Sequence, residues 1–163
     1  MKNIVLIGMM GCGKSTCAGL LSEKLGLRAV DTDELIVQRE GRSISEMFAA
    51  EGEDYFRDRE RDIAEELAHE QDLIIACGGG LPMRPDSIGP LKASGTVIFL
   101  NRDPGEIYDS VSMDGRPLGQ DGRDAFLARF VQREPIYRQW ADHVIGGYST
   151  PESTVGAILD ALG

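Results

Sequence analysis

Residues 8–15 read Gly-Met-Met-Gly-Cys-Gly-Lys-Ser, which fits the pattern G-x-x-x-x-G-K-[ST]. The pattern follows an unbroken apolar run, Asn3 to Gly8, and precedes a helical pattern that starts near Lys14. Glycines at such a junction let backbone N–H groups curl around an anion. The N-terminus of the following helix adds roughly half a positive charge at the same point. Lys14 can bridge the outer phosphates of a nucleotide, and a hydroxyl such as that of Ser15 suits Mg2+. The loop Gly11, Cys12, Gly13, Lys14, Ser15 and Thr16 is therefore expected to bind a purine nucleoside triphosphate with Mg2+. The loop itself does not distinguish ATP from GTP.

Further groups lie where strands are expected to end. Asp31-Thr32-Asp33 closes a second apolar segment. Carboxylates there can hold Mg2+ through water, accept hydrogen bonds from a hydroxyl, or cap the next helix. Gly78-Gly79-Gly80 follows a third buried run and would let the backbone approach a ligand closely. Arg57 and Glu60 are three apart on a long helical pattern and can meet on one face. Arg116 stands in a glycine-rich polar stretch, residues 112–122, where an arginine could swing over a transferring phosphate. Arg133 precedes Pro135 late in another helical pattern.

Short apolar runs alternate with helical patterns along the chain, the mark of βαβ units and a parallel sheet. Strands are expected at about 3–8, 27–31, 73–77, 96–100 and 142–145. Helices are expected from Lys14 to Gly26, over 33–40, from a Ser43/Glu46 capping box, over 53–70, from Asp103-Pro104, over 123–140, and after Thr150-Pro151. With 163 residues, 42% hydrophobic and 27% charged, the composition fits one folded domain. The formal net charge is −10, which disfavours nucleic acid and anionic membrane as partners. No apolar run approaches the ~20 residues of a membrane span. Cys12, Cys17 and Cys77 show no metal-ligand spacing, which points to a reducing, cytoplasmic setting. Cys17 and Cys77 are expected to be buried. Cys12, beside Lys14 at a helix start, is expected to be the reactive thiol.

Taken together, the phosphate loop, Asp31-Thr32-Asp33, Phe56-Arg57-x-x-Glu60, Gly78-Gly79-Gly80, Arg116-Pro117-Leu118 and Arg133-x-Pro135-x-Tyr137 closely resemble the shikimate kinase family. Order and spacing agree from residue 3 to about 160. The resemblance implies an α/β, three-layer P-loop kinase fold. It has a five-stranded parallel sheet in the order 2-3-1-4-5, helices on both faces, a substrate-binding helical region at about 32–61 and a mobile lid at about 112–122, all within a single domain, 1–163. It implies transfer of the γ-phosphate of ATP to the 3-hydroxyl of shikimate, with Mg2+, by a cytoplasmic enzyme expected to be monomeric.

Carried onto this chain, the resemblance makes Lys14, Asp33 and Arg116 catalytic, and Ser15 and Asp31 the metal-side oxygens. Gly11 to Thr16, Arg116 and Pro151 would hold the nucleotide. Asp33, Arg57, Gly78, Gly79, Gly80 and Arg133 would hold shikimate, with Glu60 orienting Arg57. Ile44, Phe48, Phe56, Pro117 and Leu118 would surround the substrate. Many members carry an adenine-packing arginine seven residues before the lid arginine, and the ungapped position here is Asp109. The alternatives are another small-molecule P-loop kinase, such as a gluconate kinase, or a non-catalytic nucleotide-binding regulatory protein. The pair Arg57 and Arg133 beside Asp33 favours a carboxylated polyol.

Overall fold

In the computed structural model, residues 2–113, 122–146 and 150–163 are described. Within them, β1 (Asn3–Ile7), β2 (Arg28–Asp31), β3 (Leu73–Ala76), β4 (Gly95–Asn101) and β5 (His143–Gly146) form one sheet in the order β2-β3-β1-β4-β5. Every pairing is parallel, with Val5 opposite Ile75 on one side and Val97 on the other. All five residues of β1 and all four of β3 are buried. That is the condition of central strands covered on both faces, and it explains why they read as continuous apolar runs rather than alternating ones. The edge strands β2 and β5 are partly exposed.

The helices are α1 (Lys14–Leu25), α2 (Thr32–Glu40), α3 (Ile44–Glu51), α4 (Glu53–Ala68), α5 (Pro85–Ser94), α6 (Pro104–Met113), α7 (Arg123–Trp140) and α8 (Pro151–Leu162). Their ends follow local rules. Gly26 and Gly41 close α1 and α2 in the left-handed conformation. Ser43 and Glu46 make a reciprocal capping box on α3, and Thr150 and Ser153 make one on α8. α1 packs against α8, whereas α4 packs against α5.

Asn3, fully buried at the start of β1, ties the sheet to α4. Its Nδ2 donates to the carbonyls of Leu67 and Glu70, at 3.4 and 3.0 Å, and its Oδ1 accepts from Leu73 N at 3.0 Å. At the far edge, Asp142 is not a strand residue. Its carboxylate accepts from Val97 N at 2.8 Å and from Lys92 Nζ at 2.6 Å, and β5 begins one residue later.

The other expected elements lie within two residues of the observed ones. The exception is the stretch after the triple glycine, where periodicity points to no element. A 3-10 turn, Leu81–Met83, and α5 form there. Three prolines obscure the pattern. Pro85 sits at the first helical position, where the missing N–H costs nothing. Pro90 inside the helix is tolerated because Ile88 and Leu91 are fully buried, so packing overrides propensity. The lid expected at 112–122 falls almost wholly outside the described residues.

Candidate active site

Because all five strands are parallel, their C-terminal ends share one edge of the sheet, where ligands of such folds bind. The phosphate loop leaves β1, Asp31 ends β2, the triple glycine follows β3 by one residue and Arg102 follows β4. The order β2-β3-β1-β4-β5 sets the loop between an acidic, glycine-lined side and a side closed by the start of α8.

In the loop, Gly11 and Gly13 adopt φ of 81° and 98°, values that side chains with a Cβ rarely take. Lys14, 8% exposed, folds back on its own loop and donates to the carbonyls of Gly8 at 2.7 Å and Met9 at 2.9 Å. Ser15 Oγ donates to Asp31 Oδ2 at 2.6 Å. The other oxygen of Asp31 caps α2 through Glu34 N at 3.1 Å. Of the two carboxylates, Asp31 is thus the cap and Asp33 stands in the first helical turn facing the site. Thr32, buried between them, accepts from Gly78 N at 2.9 Å and pins the acidic segment to the glycines. Burial raises the pKa of Asp33, Asp31 adds to the effect, and Lys14 and Arg57 oppose it.

Two cavities open on this edge. One, of about 410 Å3, is lined by residues 10–17, Asp31, Asp33, Gly78, Gly79, Arg102, Ser110, Thr150, Pro151 and Thr154 among others. The other, of about 390 Å3, is lined by Ile44, Phe48, Glu53, Phe56, Arg57, Glu60, Gly80, Arg129 and Arg133. Met10, Asp33 and Gly79 belong to both walls, so the two spaces meet there. Gly79 is pressed against the loop: a Cβ on it would lie 3.2 Å from Met10 N and 3.5 Å from Arg133 Nη1. Tyr137 holds the glycine by donating its hydroxyl to the Gly79 carbonyl at 2.6 Å. Burial pushes that phenol up to about 12, so it remains a donor.

In the second cavity, Arg57 Nη1 donates to Glu60 Oε1 at 2.6 Å and Arg57 Nε to Glu53 Oε2 at 3.2 Å. Glu60 is 1% exposed, and its Oε2 has no partner among the described residues. Burial pushes Glu60 up to about 7 despite the charge of Arg57. Phe48 and Phe56 meet edge to face at 5.4 Å and form the apolar wall with Ile44.

The comparisons with known proteins bear on this arrangement. The family model described as shikimate kinase matches residues 10–163. The chain is 36% identical over 159 residues to a shikimate kinase of Clostridium botulinum (strain Eklund 17B / Type B), covering 97% of this chain and 96% of that one. It is 37% identical over 163 residues to a shikimate kinase of Persephonella marina, covering 99% of both. The chain belongs to the shikimate kinase family. Its fold superposes on the shikimate kinase from Acinetobacter baumannii in complex with shikimate with a TM-score of 0.91. That match has 32% identity and covers 99% of this chain and 93% of the other.

Within this kinase architecture, the expected loop residues Gly11 to Thr16 and Pro151 line the first cavity, together with Asp31 and Gly78. Arg57, Gly80 and Arg133 line the second, and Asp33 and Gly79 border both. Arg116, Pro117 and Leu118 lie outside the described residues. Cys12 lines the first cavity at 7% exposure, with Sγ 3.8 Å from Lys14 Nζ. Asp109 faces Arg123, its Oδ1 3.0 Å from Nε, and its neighbour Ser110 lines the nucleotide cavity. Cys17 and Cys77 are buried as expected, and burial pushes Cys17 up to about 11.

Sequence reading missed Arg102, Arg129 and Thr154, and it named Thr32 only as the middle of Asp31-Thr32-Asp33, without its bond to Gly78. Nothing in their local spacing marks them. Each matters through the strand order or helix packing that brings it to the sheet edge.

Proposed function

We propose that this chain transfers the γ-phosphate of ATP to the 3-hydroxyl of shikimate, with the nucleotide in the first cavity and shikimate in the second. As a member of the shikimate kinase family the protein is an ATP-dependent phosphotransferase. The observation that carries the division of roles is that Asp33 and Gly79 wall both cavities. A hydroxyl placed against Asp33 would face the outer phosphate held by Lys14 and the loop amides. Asp33 would accept the hydrogen bond of that hydroxyl and orient it. Its raised pKa keeps it a competent proton acceptor as the bond forms. Arg57 and Arg133 would hold the substrate carboxylate, and Gly78, Gly79 and Gly80 would line the pocket.

Ser15 and Asp31 offer adjacent hard oxygens, the donor set Mg2+ prefers. Mg2+ bound there supplies charge neutralisation of phosphate oxygens. Lys14 must leave the carbonyls of Gly8 and Met9 to reach phosphate. The exchange is favourable because a phosphate oxygen carries more charge than a carbonyl. Arg116 would approach the same phosphates from the lid at about 112–122 and exclude water. The single-domain organisation, the monomeric state and the cytoplasmic location are part of the same reading. Among the described residues no helix is long and apolar enough to cross a membrane.

ADP release by the purified chain, measured with shikimate, gluconate and nucleoside monophosphates as acceptors, tests the assignment. Shikimate is expected to be strongly preferred. Lys14→Met is expected to lower kcat at least roughly 10²- to 10³-fold. A preference for another acceptor overturns the substrate, and near-normal kcat in the variant overturns the role of Lys14.

A further inference from the structure

Arg57 is lodged in the acceptor cavity by two carboxylates and keeps three of its five N–H groups for a ligand. Its Nε is bonded to Glu53 and its Nη1 to Glu60. Gly80 packs closely on the guanidinium, where a Cβ would lie 2.5 Å from both Nη atoms and 2.6 Å from Cζ. A carboxylate has two oxygens and about four acceptor sites, more than the two parallel N–H groups of one arginine fork fill, so a further arginine in the wall can share it.

The stripe of α7 that faces this cavity supplies such an arginine. Arg129, Arg133 and Tyr137 recur at four-residue spacing and so lie on one helix face. Tyr137 is anchored on the Gly79 carbonyl, Arg133 lies beside Gly79, and Arg129 is one turn farther along. Arg129 lines the cavity and is half-buried. Among the described residues it has no ion pair and no side-chain hydrogen bond. By contrast, Arg39, Arg42, Arg84 and Arg123 are all paired with carboxylates.

We propose that Arg129 is a third substrate-binding arginine, pairing with the carboxylate of the acceptor alongside Arg57 and Arg133. This rests on the assignment of the second cavity to a carboxylated polyol. Arg129 touches the carboxylate, not the reacting hydroxyl, so its contribution is to binding and to the choice of acid over neutral analogue.

The test uses the full chain and the variants Arg129→Met, which keeps the aliphatic stem, and Arg129→Lys, which keeps the charge. Shikimate and its neutral methyl ester are compared as acceptors. For Arg129→Met the shikimate KM is expected to rise roughly 5- to 50-fold, the loss of one partly exposed charged pair. The ATP KM should stay within about twofold, and the acid-over-ester ratio in kcat/KM should fall by the same factor as the shikimate KM rises. Arg129→Lys should recover part of the ratio, because an ammonium restores charge but not the fork.

An Arg129→Met enzyme with the wild-type acid-over-ester ratio overturns the proposal, as does one whose ATP and shikimate KM rise together. If Arg129→Met leaves the ratio intact while Arg133→Met collapses it, the cavity assignment stands and the role of Arg129 alone falls. If wild type accepts acid and ester equally, the cavity assignment falls and takes this inference with it.

Discussion

Gly80→Ala isolates the geometry of the acceptor cavity from the chemistry of its side chains. The backbone at Gly80 has φ −94° and ψ −5°, a conformation open to alanine, so the substitution adds no backbone strain. The new methyl carbon would sit 2.5 Å from Nη1 and Nη2 of Arg57 and 2.6 Å from Cζ. The guanidinium must retreat by roughly 1 Å to reach ordinary contact, and displacements of that size cost up to about 10²-fold when they misplace a binding group. Arg57 is 16% exposed and tethered to Glu53 and Glu60, so it cannot swing freely away. We expect the shikimate KM to rise roughly 10- to 100-fold. Folding stability and ATP KM should change little. Gly78→Ala is the matched comparison. Its methyl would lie 2.5 Å from Asp33 Oδ1, so its effect should fall on kcat. Initial-rate kinetics over both substrates separates the two patterns. A Gly80→Ala enzyme with unchanged shikimate KM, or one whose kcat alone falls, would refute the placement of Arg57 at the acceptor.

Two further outcomes follow from the buried polar groups. Glu60, pushed up to about 7 by burial, gains protons as pH falls through neutrality, and a bound anion beside it favours the protonated form. Shikimate affinity should therefore strengthen as pH falls through about 7, with proton uptake visible by calorimetry in buffers of different ionisation enthalpy, and Glu60→Gln should flatten the profile. The same raised pKa means that the contribution of Glu60 to folding stability is greatest at low pH and declines as pH rises through about 7. Asn3→Ala removes the acceptor of Leu73 N and the donor to the end of α4. A loss of about 2–4 kcal/mol in urea unfolding is expected, with kinetics unchanged near the midpoint-corrected temperature.

The phosphate loop and α7 were legible because their signals are local. A glycine pattern between an apolar run and a helical one, or eighteen residues bounded by glycine and a strand, needs no tertiary context. α5 was not legible, since its proline-interrupted segment is helical only because Ile88 and Leu91 are buried. The nucleotide wall shows a subtler limit. Counting back from Arg116 puts Asp109 at the position of the family's adenine-packing arginine; in the fold Asp109 bonds Arg123 and its neighbour Ser110 lines the nucleotide cavity. Position along a helix fixes the face a residue takes to within one place, and one place is about 100° of rotation. Cys12 shows a related limit: its residue type and neighbours suggest reactivity, whereas its exposure of 7% is set by tertiary packing that no local pattern shows.

A chain of net charge −10 binding two anions presents an electrostatic problem, and the distribution of its arginines answers it. Over much of the surface, arginines are neutralised within a few ångströms, as Arg39 is by Glu66, Arg84 by Asp58 and Asp86, and Arg28 by Glu70. At the sheet edge the balance changes. Arg102 and Arg129 line the two cavities without a carboxylate partner among the described residues, and Lys14 donates to the carbonyl oxygens of Gly8 and Met9 and to Cys12 Sγ. With a screening length of about 8 Å at physiological salt, an anion inside either cavity responds to these near cations far more than to the distant acidic surface. The carboxylates that do intrude, Asp31, Asp33, Glu53 and Glu60, each have a local reason. Asp31 caps α2 and accepts from Ser15, Asp33 faces the shared wall, Glu53 accepts from Arg57 Nε, and Glu60 is driven toward its neutral form by burial. The negative net charge and the anionic ligands are therefore compatible, because the field that matters at each cavity is set within one screening length of it.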